Sequence, residues 1–228
     1  SGCSSVIDAE NLELPATTLS NNCYQNMFRF AVNLTKVPSA LPATTLTEHC
    51  YDGMYYQCSA VTSVASDYLP ATTLAPCCYW AMFQFCSGLT SAMSSIPASN
   101  GGTPTLAASA CTNMFSRCAS LKTPPALPAT ALTDWCYYSM FYQNLAMTKG
   151  PVLPAPTLVT NCYRQMFNGS SNLSEITCLA TSGINTNNST TNWLNGVKFS
   201  GTFYREAGVN WPSGASGRYY WTQVDYVG

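Results

Sequence analysis

Residues Leu41 to Tyr55 read LPATTLTEHCYDGMY, and near copies of that stretch recur along the chain. The others are LPATTLSNNCYQNMF from Leu14, LPATTLAPCCYWAMF from Leu69, GGTPTLAASACTNMF from Gly101, LPATALTDWCYYSMF from Leu127 and LPAPTLVTNCYRQMF from Leu153. A fixed period commits a chain to one architecture before local propensity does. The methionine column falls at Met27, Met54, Met82, Met114, Met140 and Met166, with spacings of 27, 28, 32, 26 and 26 residues. The interval from Leu46 to Met54 is the same in every copy, so insertions are confined to the stretch between a methionine and the next copy.

Leu46, Cys50, Tyr51, Met54 and Tyr55 stand at i, i+4, i+5, i+8 and i+9, a spacing that predicts a short helix or helical turn with one broad apolar stripe. Thr45 and Glu48 resemble a capping box, and Pro42 lies upstream, where it interrupts no helical bond. A second pattern follows each methionine: Leu34 and Val37, Val61 and Val64, Leu89 and Ala92, Leu121 and Pro124, Met147 and Gly150, Leu173 and Ile176. These predict very short strands. One strand and one helical turn cannot bury their own apolar faces, so neighbouring copies must stack. The period sits within the ~20 to 29 residues of a leucine-rich repeat. The expected fold is therefore an α/β repeat: a leucine-rich-repeat solenoid over residues 1–180, with short parallel strands on its concave face and helical turns on its convex face. Residues 181–228, where the repeat gives way to aromatic residues, are expected to form a β-rich C-terminal cap.

Cys3 lies eleven residues before Leu14, as Cys58 lies eleven before Leu69. The chain is expected to begin within a repeat, and a lipoprotein reading of Ser1-Gly2-Cys3 is the weaker alternative.

At these residues the sequence resembles the BspA-like leucine-rich-repeat surface proteins of Bacteroides-type bacteria, in the variant whose unit reads LPATTL...CY..MF..C..LT. The resemblance implies a right-handed solenoid, a cell-surface or secreted location associated with the outer membrane, and adhesion-type binding to host protein or glycan. The fourth copy departs from the pattern in lacking the Leu-Pro-Ala opening, and Arg218, Tyr219, Tyr220 and Trp221 end the chain where a smaller turn is expected.

Composition narrows the function. Charged residues make up 8% of the chain, and ten acidic side chains nearly balance nine basic ones. Nucleic-acid binding lacks the basic stripe it requires. No apolar run approaches the ~20 residues of a membrane span. Most of the cysteines fall in two columns, Cys23, Cys50, Cys78, Cys136 and Cys162, and Cys58, Cys86 and Cys118, where small residues replace them in other copies. Packed thiols are expected, with a few bridges between neighbouring copies left open. No C-x-x-C spacing occurs and His49 is the sole histidine, so no metal site and no cofactor are expected. Its column holds Asn22, Cys77, Ser109, Trp135 and Asn161, which marks His49 as a surface variant of the repeat. Asp8, Glu10 and Glu13 are the only local carboxylate cluster, and no catalytic residues are assigned.

The chain is accordingly expected to be a non-enzymatic binding or adhesion module. Outward residues of the short strands should align as a concave column of Lys36, Ser63, Ser91, Thr123, Lys149 and Glu175, beginning at Asp8. That column is the first candidate ligand surface, and a merely solvated face is the plain alternative. Trp211, Tyr219, Tyr220 and Trp221 form a second candidate, a stacking platform for sugar rings, unless they only cover the last coil. A turn is expected at Asn100, Gly101 and Gly102, in the insertion from Met93 to Pro104. A structural spacer is the alternative function, and a glycan-active enzyme using dispersed carboxylates is a third reading. Exposed strand edges leave room for self-association through terminal coils.

Overall fold

The computed structural model describes residues 4–99, 104–212 and 220–227. Each copy of the repeat forms one layer, and its Cys-Tyr-x-x-Met-Phe segment is a ribbon of overlapping turns. In the first layer the N–H groups of Cys23, Gln25, Met27, Arg29 and Ala31 donate to carbonyls three residues back at 3.0 to 3.3 Å. The alternate N–H groups, of Asn22, Tyr24, Asn26, Phe28 and Phe30, leave the segment. They donate to Glu48, Cys50, Asp52, Met54 and Tyr56 of the second layer at 2.8 to 3.1 Å. Every fourth residue has positive φ: Asn22, Asn26 and Phe30, then His49, Gly53 and Gln57, and so on to Asn161, Gln165 and Gly169.

This geometry corrects the expected leucine-rich-repeat solenoid with helical turns on a convex face. Among the described residues there is no helix, and regular strands are confined to four short parallel members of one sheet. The physical reason lies in the left-handed residues. A helix keeps φ negative throughout and closes its hydrogen bonds within the segment. A residue of positive φ at every fourth position instead rotates half of the N–H groups toward the neighbouring layer. The stripe Leu46, Cys50, Met54 and Tyr51, Tyr55 repeats every four residues, and the ribbon turns that spacing inward as readily as a helix would. Thr45 is likewise not a helix cap, since it pairs with Thr18 in a parallel bridge.

A non-glycine residue in the left-handed region costs about 1–2 kcal/mol. In the six ribbons each such residue also gives its N–H to the next layer, a hydrogen bond worth about 0.5–1.5 kcal/mol net. Side-chain burial supplies the rest. Cys50, Tyr51, Met54, Tyr55, Cys58 and Val61 are fully buried, as are their counterparts in the later layers. Phe28, Tyr55, Phe83, Phe115, Phe141 and Phe167 form one continuous stack with centroids 5.2 to 5.9 Å apart. A parallel column holds Tyr24, Tyr51 and Tyr79, is interrupted where Cys111 replaces tyrosine, and resumes with Tyr137 and Tyr163.

Trp193 terminates both columns, lying 6.0 Å from Tyr163 and 6.3 Å from Phe167, and Trp211 stacks on it at 5.7 Å. Opposite the ribbon, the earlier layers meet through single parallel bridges, among them Asp8 with Lys36, Ser63 with Ser91, and Ser91 with Thr123. Farther along, the pairing lengthens into a parallel sheet of β1 (Lys149–Leu153), β2 (Glu175–Cys178), β3 (Ser200–Arg205) and β4 (Tyr220–Asp225), in that order. Because β2 pairs directly with β3, the last repeat and the aromatic tail share one sheet. No helix among the described residues is long and apolar enough to cross a membrane.

Candidate functional site

Among the described residues the ladder of bridges on the sheet face is interrupted at two places, between Lys36 and Ser63 and between Thr123 and Lys149, and the second opens into a groove. Ser91 bridges Thr123, and Ser95 bridges Ala126, while Lys149 pairs with Glu175 on the far side. Among the described residues no bridge joins Thr123 to Lys149. The sequence explains the gap, because Pro124 and Pro125 on one side and Pro151 on the other have no N–H to donate to a ladder. Pro151 also lies where the register between β1 and β2 shifts, between Lys149 and Val152.

A groove of about 670 Å³ opens at this missing rung. Its walls include Pro124, Pro125, Pro151 and Val152, with Lys122 and Lys149 contributing the charged groups. Val152 is 38% exposed, an apolar side chain presented on the outer face of the sheet. The Lys149 ammonium lies 2.6 Å from the Glu175 carboxylate, and that hydrogen bond and charge raise its pKa above the ordinary lysine value. Lys122 has no carboxylate partner among the described residues. The arrangement offers an apolar trench, one balanced ion pair and one uncompensated positive charge.

The column read from the sequence falls as follows. Thr123 and Lys149 line the groove, and Glu175 stands beside it. Ser63 and Ser91 continue the same ladder away from it. Lys36 is remote, held by Glu10 at 2.5 Å and Asp8 at 3.7 Å, so the carboxylate cluster acts on this lysine.

The aromatic tail is placed differently from the expected platform. Trp211 is 4% exposed and Trp221 8% exposed; both face the core, and the Trp221 indole N–H donates to the Lys198 carbonyl at 2.9 Å. Tyr220 is exposed, in contact with Phe199 at 4.5 Å, and Tyr219 lies outside the described residues. So do Asn100, Gly101 and Gly102, the turn expected in the insertion. His49 is half-buried, with Nδ1 3.0 Å from Asp52.

The eleven described cysteines are unbridged. In the second cysteine column each thiol donates to a carbonyl of the preceding layer: Cys58 to Phe28, Cys86 to Tyr55 and Cys118 to Phe83, all at 3.1 Å. Ser170 does the same to Phe141 at 2.9 Å. Among the described residues no three His, Cys, Asp or Glu side chains gather as a metal-holding group.

Lys122, Pro124, Pro125, Pro151 and Val152 were not singled out as site residues by the sequence reading, although the prolines carried the signal. Comparison with known protein families, with curated proteins and with solved structures returned no match.

Proposed function

We propose that this chain is a non-catalytic binding module, displayed at a cell surface or secreted, whose sheet-face groove receives an extended segment of a partner protein. The observation that supports it is the groove at the missing rung. Rigid proline rings and Val152 give it an apolar bed that loses little conformational entropy on binding, and Lys122 supplies a charge with no carboxylate partner among the described residues. A segment carrying apolar side chains and one carboxylate is the complement.

The test is immobilised protein screened against purified extracellular-matrix proteins, with each hit remeasured on Lys122→Glu and Val152→Asp. Affinity should fall about tenfold or more in either variant and should weaken with salt in the native protein. Lys36→Glu, remote from the groove, should bind as the native chain does. Hits indifferent to both groove substitutions, or a screen without hits, would remove the groove from the function.

A further inference from the structure

The turn ribbons also have an outward side, and it carries large rings, with His49 6.4 Å from Trp80 and Asp52 one layer before it in the same column. Trp80, Thr112 and Tyr138 occupy one column, because their carbonyls accept from Gly53, Ala81 and Asn113 of successive layers at 2.8 to 2.9 Å. Trp135 stands beside Tyr138, edge to face at 5.1 Å. Trp80 and Trp135 are each 36% exposed, whereas Trp193, Trp211 and Trp221 are buried. The two exposed indoles are thus separated by a single layer of small residues, Ser109 and Thr112.

The Trp135–Tyr138 pair is held in place. Thr112 donates its hydroxyl to the Trp135 carbonyl at 2.8 Å. The Tyr138 hydroxyl donates to Gln165 Oε1 at 2.9 Å. The Arg164 guanidinium lies 6.0 Å from the Trp135 ring centroid and donates to Asn161 Oδ1 at 3.3 Å. Aromatic faces fixed in advance, with amides beside them, suit a ligand that is flat, apolar on its faces and polar at its rim. A protein hot spot would need one contiguous desolvated pocket, and here half-buried Ser109 and buried Thr112 stand between Trp80 and the Trp135–Tyr138 pair. A cationic ligand would meet Arg164. A nucleic acid would need a basic stripe that this chain lacks.

We propose that Trp80 and the Trp135–Tyr138 pair form a saccharide-stacking site, distinct from the groove, that takes a neutral oligosaccharide with sugar rings lying on the two indole surfaces. Phe83, Phe115 and Phe141 in the same three layers are spaced 5.6 and 5.9 Å apart, so the two surfaces lie two layer spacings from one another. The span calls for a chain of several sugars.

The experiment is titration of the whole chain with soluble neutral hexaoses of glucose, mannose, xylose and N-acetylglucosamine, read by indole fluorescence. Two of the five tryptophans are exposed, so the response reports on the proposed site. At least one hexaose should shift the emission saturably. Trp80→Ala and Trp135→Ala should each weaken it about tenfold, and Trp135→Tyr should keep most of it. Lys122→Glu should leave it unchanged, which separates this site from the groove. In the native chain, where folding is not in question, bound hexaose should protect both exposed indoles from oxidation by N-bromosuccinimide. Absence of a shift with all four sugars, unprotected indoles, or affinity retained when both tryptophans are alanine would each overturn the proposal. So would a matrix protein that binds through these tryptophans without competition from any hexaose.

Discussion

The Cys86 thiol donates to the Tyr55 carbonyl of the preceding layer at 3.1 Å. The turn ribbon uses its alternate N–H groups between layers, and this carbonyl lies where the ribbon ends: it accepts from the Cys58 N–H of its own layer at 3.0 Å, and the thiol supplies a second donor from the next layer. Cysteine is small enough for the core and still carries a donor. Cys86→Ala should therefore cost about 0.5–1.5 kcal/mol for the lost inter-layer hydrogen bond, while Cys86→Ser should cost less because Ser170 already fills the same role. Denaturant unfolding would check the order. Equal losses in the two variants would mean that packing alone fixes the residue.

Asn144 occupies the same column and fits it poorly. It is fully buried, and neither its amide nitrogen nor its amide oxygen has a hydrogen-bond partner among the described residues. Asn144→Cys should stabilise the protein by about 1 kcal/mol, by removing two unpaired polar atoms and supplying a small donor. A rise in the denaturant midpoint with an unchanged slope is the expected result.

The left-handed positions make a prediction of opposite sign. Gly183 has φ of 75°, and a Cβ there would sit 2.1 Å from the Leu158 carbonyl oxygen, a backbone atom that cannot step aside. Gly183→Ala should lose about 2 kcal/mol or more. Gln57, with φ of 62° and its side chain exposed, is the converse case. Gln57→Gly should be neutral or slightly stabilising, because relief of backbone strain offsets the flexibility glycine adds to the unfolded chain. Thermal unfolding of the two variants side by side would show it.

These positions also explain what the sequence disclosed and what it hid. The period, the inward set of Leu, Cys, Met and Phe, and the register of Ser63, Ser91 and Thr123 were legible because aligned copies expose columns. The ribbon was not, because Leu46, Cys50 and Met54 satisfy a spacing of four that a helix and a turn ribbon share. The discriminating signal lay in the three positive-φ columns, through Asn22 and Asn161, Asn26, Gly53 and Asn113, and Gly169, residues that tolerate that conformation, diluted by Phe30, Trp135 and Phe85. Whether Trp211 and Trp221 formed a platform or a cover for the last coil stayed open because the tail is a single copy, and a lone aromatic cluster has no column to show which way it faces. The groove was readable in principle from three prolines set where a ladder needs N–H groups.

Buried thiols, together with the phenols of Tyr55, Tyr79, Tyr137 and Tyr163 that burial raises well above their ordinary 10.0, set the alkaline limit of the fold. Burial pushes Cys50 and Cys162 up to about 11 and Cys178 up to about 12, from an ordinary value of 9.0. Burial raises Cys78, Cys86 and Cys111 well above that value too. Below pH 9 both the folded and the unfolded chain keep these protons, so they contribute no pH dependence. Between pH 9 and about 11 the unfolded chain releases them while the folded chain holds them, and the state that binds fewer protons gains. Stability should therefore be flat from pH 7 to 8.5 and fall steeply from pH 9 to 11, with several protons released on unfolding. At neutral pH a thiol reagent should modify exposed Cys23 promptly, half-buried Cys77 slowly, and the buried set only on unfolding. Denaturant midpoints across this pH range test the claim, and a profile level to pH 11 would show that the cysteines are not the protonated, buried donors that the layers require.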